Sequence, residues 1–229
     1  MPMIPFTEYF SRNQGALTVE QQQTLQQSRV AVVGCGGLGG YVIEQLVRIG
    51  VGQLLLFDPD VFSPSNCNRQ LNALRHTMGH NKAEVAAIRA VAIHSFCTVA
   101  PFSLDFREVA DNTWDQVDVM VDCLDNIQSR LDLAALCTKK NIPLVHGAVK
   151  SWYGQVGVQL PGGDLINRLY PDRTARHTQE PPPVLSFSVG AVASLQVGEA
   201  VKLLLGLSSP LHNSWMHIDL PHCDFLVND

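Results

Sequence analysis

Apolar positions along the chain fall into two alternating patterns: short β-branched runs, and longer stretches where apolar residues recur every three or four positions. Arg29-Val30-Ala31-Val32-Val33 is a short run that stops at glycine and predicts a buried parallel strand. Leu38, Val42, Ile43, Leu46 and Val47 then follow at helical spacing, and Gly50 is placed to close that helix. Leu54-Leu55-Leu56-Phe57 predicts a second strand, ending at Asp58. Strand, glycine loop, helix and strand make a βαβ unit, whose crossover is nearly always right-handed.

The alternation continues with a helix over 81–94, bearing Val85, Ile88 and Val91 on one side. Strands follow near 98–102 and 117–121, then a helix over 127–140 and a strand at 142–145. This order predicts an α/β fold, a Rossmann-like, doubly wound and mostly parallel sheet. Upstream, 5–27 is polar and Gln-rich, and Thr18 is placed to cap a helix running to Gln27. Beyond Lys150 the character changes. A strand over 155–160 leads to the turn Pro161-Gly162-Gly163, then a Pro-, Arg-, His- and Thr-rich loop at 172–183. An apolar helix at 186–205 with small residues at Gly190, Ala191, Ala193, Ser194 and Gly198 precedes a last strand at 216–220. We expect one domain over 1–229, with a nucleotide-binding part (1–150) and a C-terminal strand and helix extension (151–229).

The 229 residues are 46% hydrophobic, enough for a sizeable core. With 16% charged residues and a net charge of −5, there is no basic excess to support nucleic-acid binding by charge alone. The start of the chain lacks a signal-peptide pattern. The longest uncharged apolar stretch, 184–198, ends before Glu199 and falls short of the about 20 residues of a membrane span. A soluble cytoplasmic protein is expected. The cysteines form no C-x-x-C pair and read as scattered reduced thiols.

The strongest chemical motif is Gly34-Cys35-Gly36-Gly37-Leu38-Gly39, between a predicted strand and helix. Gly34, Gly36 and Gly39 fit the nucleotide-binding spacing, which permits a tight turn and aims a helix N-terminus at phosphate. Asp58 ends the next strand, where a carboxylate can accept ribose hydroxyls. To this point NAD and ATP fit equally. Arg69 and Lys82 then add two cations near the loop in sequence. A triphosphate under attack needs such charge on its oxygens, whereas a pyrophosphate can rest on the helix N-terminus. Taken singly, each is as easily a solvated surface charge. Asp122-Cys123-Leu124-Asp125-Asn126 follows the fourth strand, at the carboxyl end where ligands bind. Asp125 can hold a magnesium ion that bridges phosphates. Equally, Asp125 or Asn126 can cap the next helix.

In one register these motifs resemble the ThiF/MoeB/HesA family, relatives of the ubiquitin-activating enzymes. The matching pieces are Tyr9-Phe10-Ser11-Arg12, the glycine loop, Asp58-x-Asp60-Val61, Ser65-Asn66 through Arg69-Gln70, Lys82-Ala83-Glu84, Asp122 to Asn126, Gly154-Gln155-Val156, and Glu199 to Leu203. The resemblance implies ATP and magnesium as cofactors and a ubiquitin-like sulfur-carrier protein with a Gly-Gly tail as partner. Its terminal carboxylate would be adenylated with release of pyrophosphate. It implies a homodimer, in which Arg12 serves the neighbouring subunit, and a sulfur donor protein as a further partner. Laid onto this chain, Gly34, Gly36, Gly37, Gly39, Asp58, Asp60, Asn66, Arg69, Gln70, Lys82, Asp125 and Asn126 would bind the nucleotide. Arg12, Arg69, Lys82 and Asp125 would act in catalysis, with Asp125 on magnesium.

The chain departs from the family in two places. Many members hold zinc through two C-x-x-C pairs. Here Leu165 and Arg168 stand at the first pair's positions, and only Cys223 lies near the second, so no zinc is expected. The 172–183 segment also contains no cysteine for thiol chemistry. Three other readings compete: a tRNA threonylcarbamoyladenosine dehydratase, an NAD-dependent oxidoreductase, and a degenerate module that binds nucleotide or carrier without turnover.

Overall fold

The computed structural model describes residues 5–171 and 182–228. In chain order the elements are α1 (Phe6–Tyr9), α2 (Val19–Gln27), β1 (Arg29–Val33), α3 (Gly37–Ile49), β2 (Gln53–Phe57), α4 (Lys82–Ile93), β3 (Thr98–Phe102), β4 (Val119–Asp122), α5 (Ile127–Lys140), β5 (Leu144–Lys150), β6 (Tyr153–Gln159), α6 (Leu165–Leu169), α7 (Ser186–Leu204), β7 (Ser214–Asp219) and β8 (Asp224–Asn228). The strands form one sheet in the order β3-β2-β1-β4-β5-β6-β7-β8. β3 through β5 pair in parallel, and β5 through β8 pair antiparallel.

The pleat divides each buried strand between two cores. Val30 and Val32 of β1 and Leu54 and Leu56 of β2 pack with Leu38, Val42 and Leu46 of α3 and Val192 of α7. Ala31, Val33, Leu55 and Phe57 face the other way, toward Leu131 and Leu133 of α5 and Ile166 of α6. Strands buried on both faces read as continuous apolar runs, which is why β1, β2 and β4 were legible. By length and composition α7 could cross a membrane. In this fold it is a core helix: Val189, Val192, Ala193 and Val197 pack into the cluster formed with the sheet and α3.

Local caps fix the helices that surround the site. Thr18 and Gln21 form a reciprocal capping box on α2. Gly50 ends α3 in the left-handed region at φ 100°. Four expectations need correction. On α4, Val85, Ile88 and Val91 do share a side, but it faces outward. Ile88 is 72% exposed, and Ala83, Ala86, Ala87 and Ala90 face the sheet instead, where small residues let the helix sit close. β4 starts at Val119 and keeps Asp122, because Asp122 pairs with both Val33 and His146. β5 runs on to Lys150, since its hairpin with β6 extends the pairing to Tyr153. β8 and α6 were not anticipated, and most of the 172–183 segment lies outside the described residues.

Candidate active site

The strand order reverses between β1 and β4, since β2 and β3 lie to one side and β5 to the other. Ligands bind at such switch points, outside the carboxyl ends of the strands. Two sequence motifs meet there: the glycine loop after β1 and the Asp122–Asn126 turn after β4. They touch closely. A Cβ on Gly34 would lie 2.6 Å from the Cys123 carbonyl oxygen, and Gly34 has φ 94°, so only glycine serves at this position. Gly39, in the first turn of α3, is tighter still. A Cβ there would lie 1.8 Å from the Gly34 carbonyl oxygen. The amino end of α3 is thereby drawn onto its own loop, with its free N–H groups facing the crevice.

Asp58 braces this loop. One carboxylate oxygen accepts from the Cys35 N–H at 2.7 Å and the other from the Asp60 N–H at 2.9 Å. Burial pushes its pKa up, while the nearby Lys82 charge and the two amide bonds oppose the shift without cancelling it. Lys82 opens α4 with its Nζ 2.9 Å from an Asp60 oxygen, and it is only 8% exposed. That settles one open question from the sequence: Lys82 is not a solvated surface charge. Asn66 is buried and its Oδ1 accepts from the Ser63 N–H, so it shapes the turn that leads to Arg69. Gln70 is buried with its amide over Gly36, and its Oε1 is an acceptor without a partner among the described residues. A buried unpaired acceptor beside the glycine loop suits a donor from a nucleotide.

Arg69 lies at the rim. Its guanidinium donates to the Ser65 carbonyl and the Asn68 side chain, so it is held locally rather than aimed at Lys82. The Asp125/Asn126 alternative is resolved by geometry. Asn126 is the cap of α5, and its Oδ1 accepts from the Ser129 N–H at 2.9 Å. Its acceptor oxygen is thereby used in the cap. Asp125 is left exposed, with no hydrogen bond or ion pair among the described residues. One uncommitted carboxylate fits magnesium, which takes one or two carboxylates and fills its octahedron with phosphate oxygens and water.

Arg12 stands apart from this group. It lies in a turn at Ser11–Asn13, and neighbouring Asn13 and Gln22 both donate to the Ile49 carbonyl at the carboxyl end of α3. α3 has 13 residues and so separates that end from the glycine loop by roughly 20 Å. Arg12 therefore cannot serve the glycine loop of its own chain. Leu165 is fully buried, and Arg168 donates to Asp164 and to the Asn213 carbonyl.

Sequence reading missed a buried polar network behind the β4 turn. Asp122 accepts from Arg130 at 2.8 Å and pairs with His146 Nδ1 at 2.7 Å, and all three are buried. His146 Nε2 lies 3.2 Å from the Tyr170 hydroxyl, and Gln155 donates to that hydroxyl at 2.8 Å. Gln196 of α7 donates to the Asp122 carbonyl. Burial pushes the Asp122 carboxyl up, but the Arg130 charge and the His146 hydrogen bond outweigh it and hold the group below its usual value. Burial, reinforced by Arg130, holds His146 low. Burial and the Asp122 charge act oppositely on Arg130, and the carboxylate prevails, raising its pKa. The available signal was a His within an apolar strand and an Arg on the inward face of a helix, since neither is buried without partners.

A doubly wound sheet with a glycine loop, a buried lysine and a free carboxylate at its switch point defines a nucleotide-binding enzyme of the Rossmann-like class. The ThiF family model matches residues 10–228. The chain thus belongs to the ThiF family. It is 35% identical over 206 residues to the SAMP-activating enzyme E1 of Haloferax volcanii, covering 87% of this chain and 76% of that one. It is 33% identical over 211 residues to the molybdopterin-synthase adenylyltransferase of Escherichia coli, covering 89% and 84%. Against the tRNA threonylcarbamoyladenosine dehydratase of Bacillus subtilis the identity is 38% over 141 residues, covering 59% and 54%. Among solved structures, Escherichia coli MccB with ATP shares the fold at a TM-score of 0.78 and 22% identity, covering 96% of this chain and 70% of that one.

Proposed function

We propose that this protein is an adenylyltransferase that uses magnesium-ATP to activate the C-terminal glycine carboxylate of a ubiquitin-like sulfur-carrier protein. The observation that carries this reading is buried Lys82, paired to Asp60 beside the Asp58 brace of the glycine loop, with Asp125 two residues beyond the Cys123 carbonyl that touches Gly34. A dinucleotide's pyrophosphate can rest on the helix N-terminus alone, so the extra charge disfavours an NAD-dependent oxidoreductase. The two long matches, to an E1 and to a molybdopterin-synthase adenylyltransferase, support the carrier.

In the reaction the carrier carboxylate attacks the α-phosphorus of ATP, the bond to the β-phosphate oxygen breaks, and pyrophosphate leaves with an acyl-adenylate remaining. A magnesium ion held by Asp125 would supply positive charge to the phosphates. The α3 amino end and Gly34–Gly39 cradle the phosphates. Asp58 holds the loop and offers its remaining lone pairs to the ribose. Lys82, fixed by Asp60, places positive charge where the transition state gains negative charge. Arg12, too far from its own loop, serves the site of a second copy in a homodimer. No side-chain nucleophile takes part, so the work is positioning and charge stabilisation.

The test is carrier-dependent exchange of labelled pyrophosphate into ATP, using small proteins that end in Gly-Gly. Exchange with one carrier, lost when its last glycine is trimmed, supports the reading. Tight magnesium-ATP binding without exchange, together with ATP-dependent turnover of threonylcarbamoyladenosine in tRNA, favours the dehydratase suggested by the Bacillus subtilis relative.

A further inference from the structure

Among the described residues Asp125 makes no hydrogen bond or ion pair that would hold its side chain in place, yet a metal-binding carboxylate must be placed within a fraction of an ångström of its productive position. The peptide on which it sits is held from behind. The Leu124 N–H donates to Asp122 Oδ1 at 2.9 Å, and the Leu124 carbonyl accepts from Arg130. Both polar backbone atoms of the residue before Asp125 are therefore bound to one ion pair. Arg130 spreads its guanidinium over three acceptors: the Asp122 carboxylate at 2.8 Å, the Gly147 carbonyl at 2.7 Å and the Leu124 carbonyl. The remaining anchors belong to the sheet and α7. Asp122 is fully buried in β4, and its own carbonyl accepts from Gln196.

We propose that Arg130 is a positioning residue for the Asp125 carboxylate. With Asp122 it clamps the Leu124 peptide, so that Asp125 leaves a rigid turn next to the glycine loop. This rests on the reading of Asp125 as the magnesium-binding carboxylate. The planar fork of arginine suits the task because it reaches several acceptors in fixed directions, which the compact ammonium of lysine cannot do.

Arg130→Lys separates charge from clamp: it keeps a cation for Asp122 and loses the fork. The readout is equilibrium ATP binding by calorimetry, with and without magnesium, on the full chain. The gain in affinity that magnesium confers on wild type should fall at least about tenfold in Arg130→Lys, as for other lost supports of metal ligands. Affinity for ATP without magnesium should stay within about threefold. Asp122→Asn keeps an acceptor for the Leu124 N–H but removes the charge that orients Arg130, and it should show the same selective loss. Leu25→Ala, in the α2 contact with the core, serves as a destabilised control and should keep the full magnesium gain. An unchanged magnesium gain in Arg130→Lys, or equal losses with and without magnesium, overturns the proposal. If wild type binds ATP equally well with and without magnesium, the assignment of Asp125 to the metal fails, and the positioning role fails with it.

Discussion

Replacing Gly39 by alanine tests the construction of the nucleotide loop with a single methyl group. The added carbon would sit 1.8 Å from the Gly34 carbonyl oxygen and 2.8 Å from its carbon, where real contacts need more than 3 Å. The obstacle is backbone, so no side chain can swing aside. Gly34 cannot retreat either: its N–H is bonded to the Phe57 carbonyl at 2.8 Å and it already holds φ 94°. Relief requires α3 and the loop to separate by more than an ångström, and the cost should reach the upper end of overpacking penalties, about 3 kcal/mol. For a domain of this size that corresponds to a Tm lowered by roughly 6–12 °C. ATP binding should be lost as well, because the displaced N–H groups no longer converge. Gly37→Ala is the matched comparison, since a Cβ there meets only Val189 at 3.6 Å, an ordinary contact. Its Tm should move by no more than about 2 °C. Thermal melts and ATP calorimetry on the two variants decide the matter. A Gly39→Ala protein that melts and binds like wild type would falsify the loop geometry argued above.

Lys82→Ala should lower pyrophosphate exchange by at least about 100-fold while the fold persists, and Arg69→Ala should weaken exchange in the same direction. Near-normal rates in both would remove them from the phosphate site. Arg12→Ala and Lys82→Ala should each be inactive alone. Mixed, they should recover roughly a quarter of wild-type activity, because half of randomly formed dimers pair the two variants and hold one intact site; no recovery argues against action across an interface. His146 and Asp122 both bind fewer protons folded than unfolded, since both pKa values are lowered. Their contribution to stability is present above the ordinary values of 6.5 and 3.8 and is lost as pH falls below each. Tm should therefore decline as pH drops below 6.5, and His146→Gln should flatten that first decline; an unaltered pH profile in the variant contradicts the assignment.

The parts of this fold that could be read in advance are those whose signal is local. β1, β2, α3 and the glycine loop announce themselves through uninterrupted apolar runs, a 3.6-residue period and glycines at set spacing. The end of β5 was hidden because its extension depends on β6, and neither Gly147 nor Lys150 has strand character of its own. α4 misled for a different reason. Its largest apolar residues point to solvent, and alanines do the packing, so a period could be found while its inward face could not. At the site, Lys82 and Asp125 could be nominated from motifs, but the choice between charge carrier and surface residue needed burial and cap geometry. The Asp122, Arg130, His146, Gln155, Tyr170 and Gln196 network draws on five elements and the loop after α6, and no window of sequence brings those residues together.

The close approach of Gly34 to the Cys123 carbonyl has a consequence for how the protein acquires its activity. The first βαβ unit is complete by Phe57, yet its loop is walled only when β4 slots in beside β1, pairing Val33 with Asp122. Pairings so distant along the chain form late and slowly, because a large loop must close before they return any energy. A nascent or refolding chain should therefore gain helix and apolar collapse well before it can retain ATP. Nucleotide retention would then time the arrival of β4, making the substrate itself a reporter of the last large step in folding.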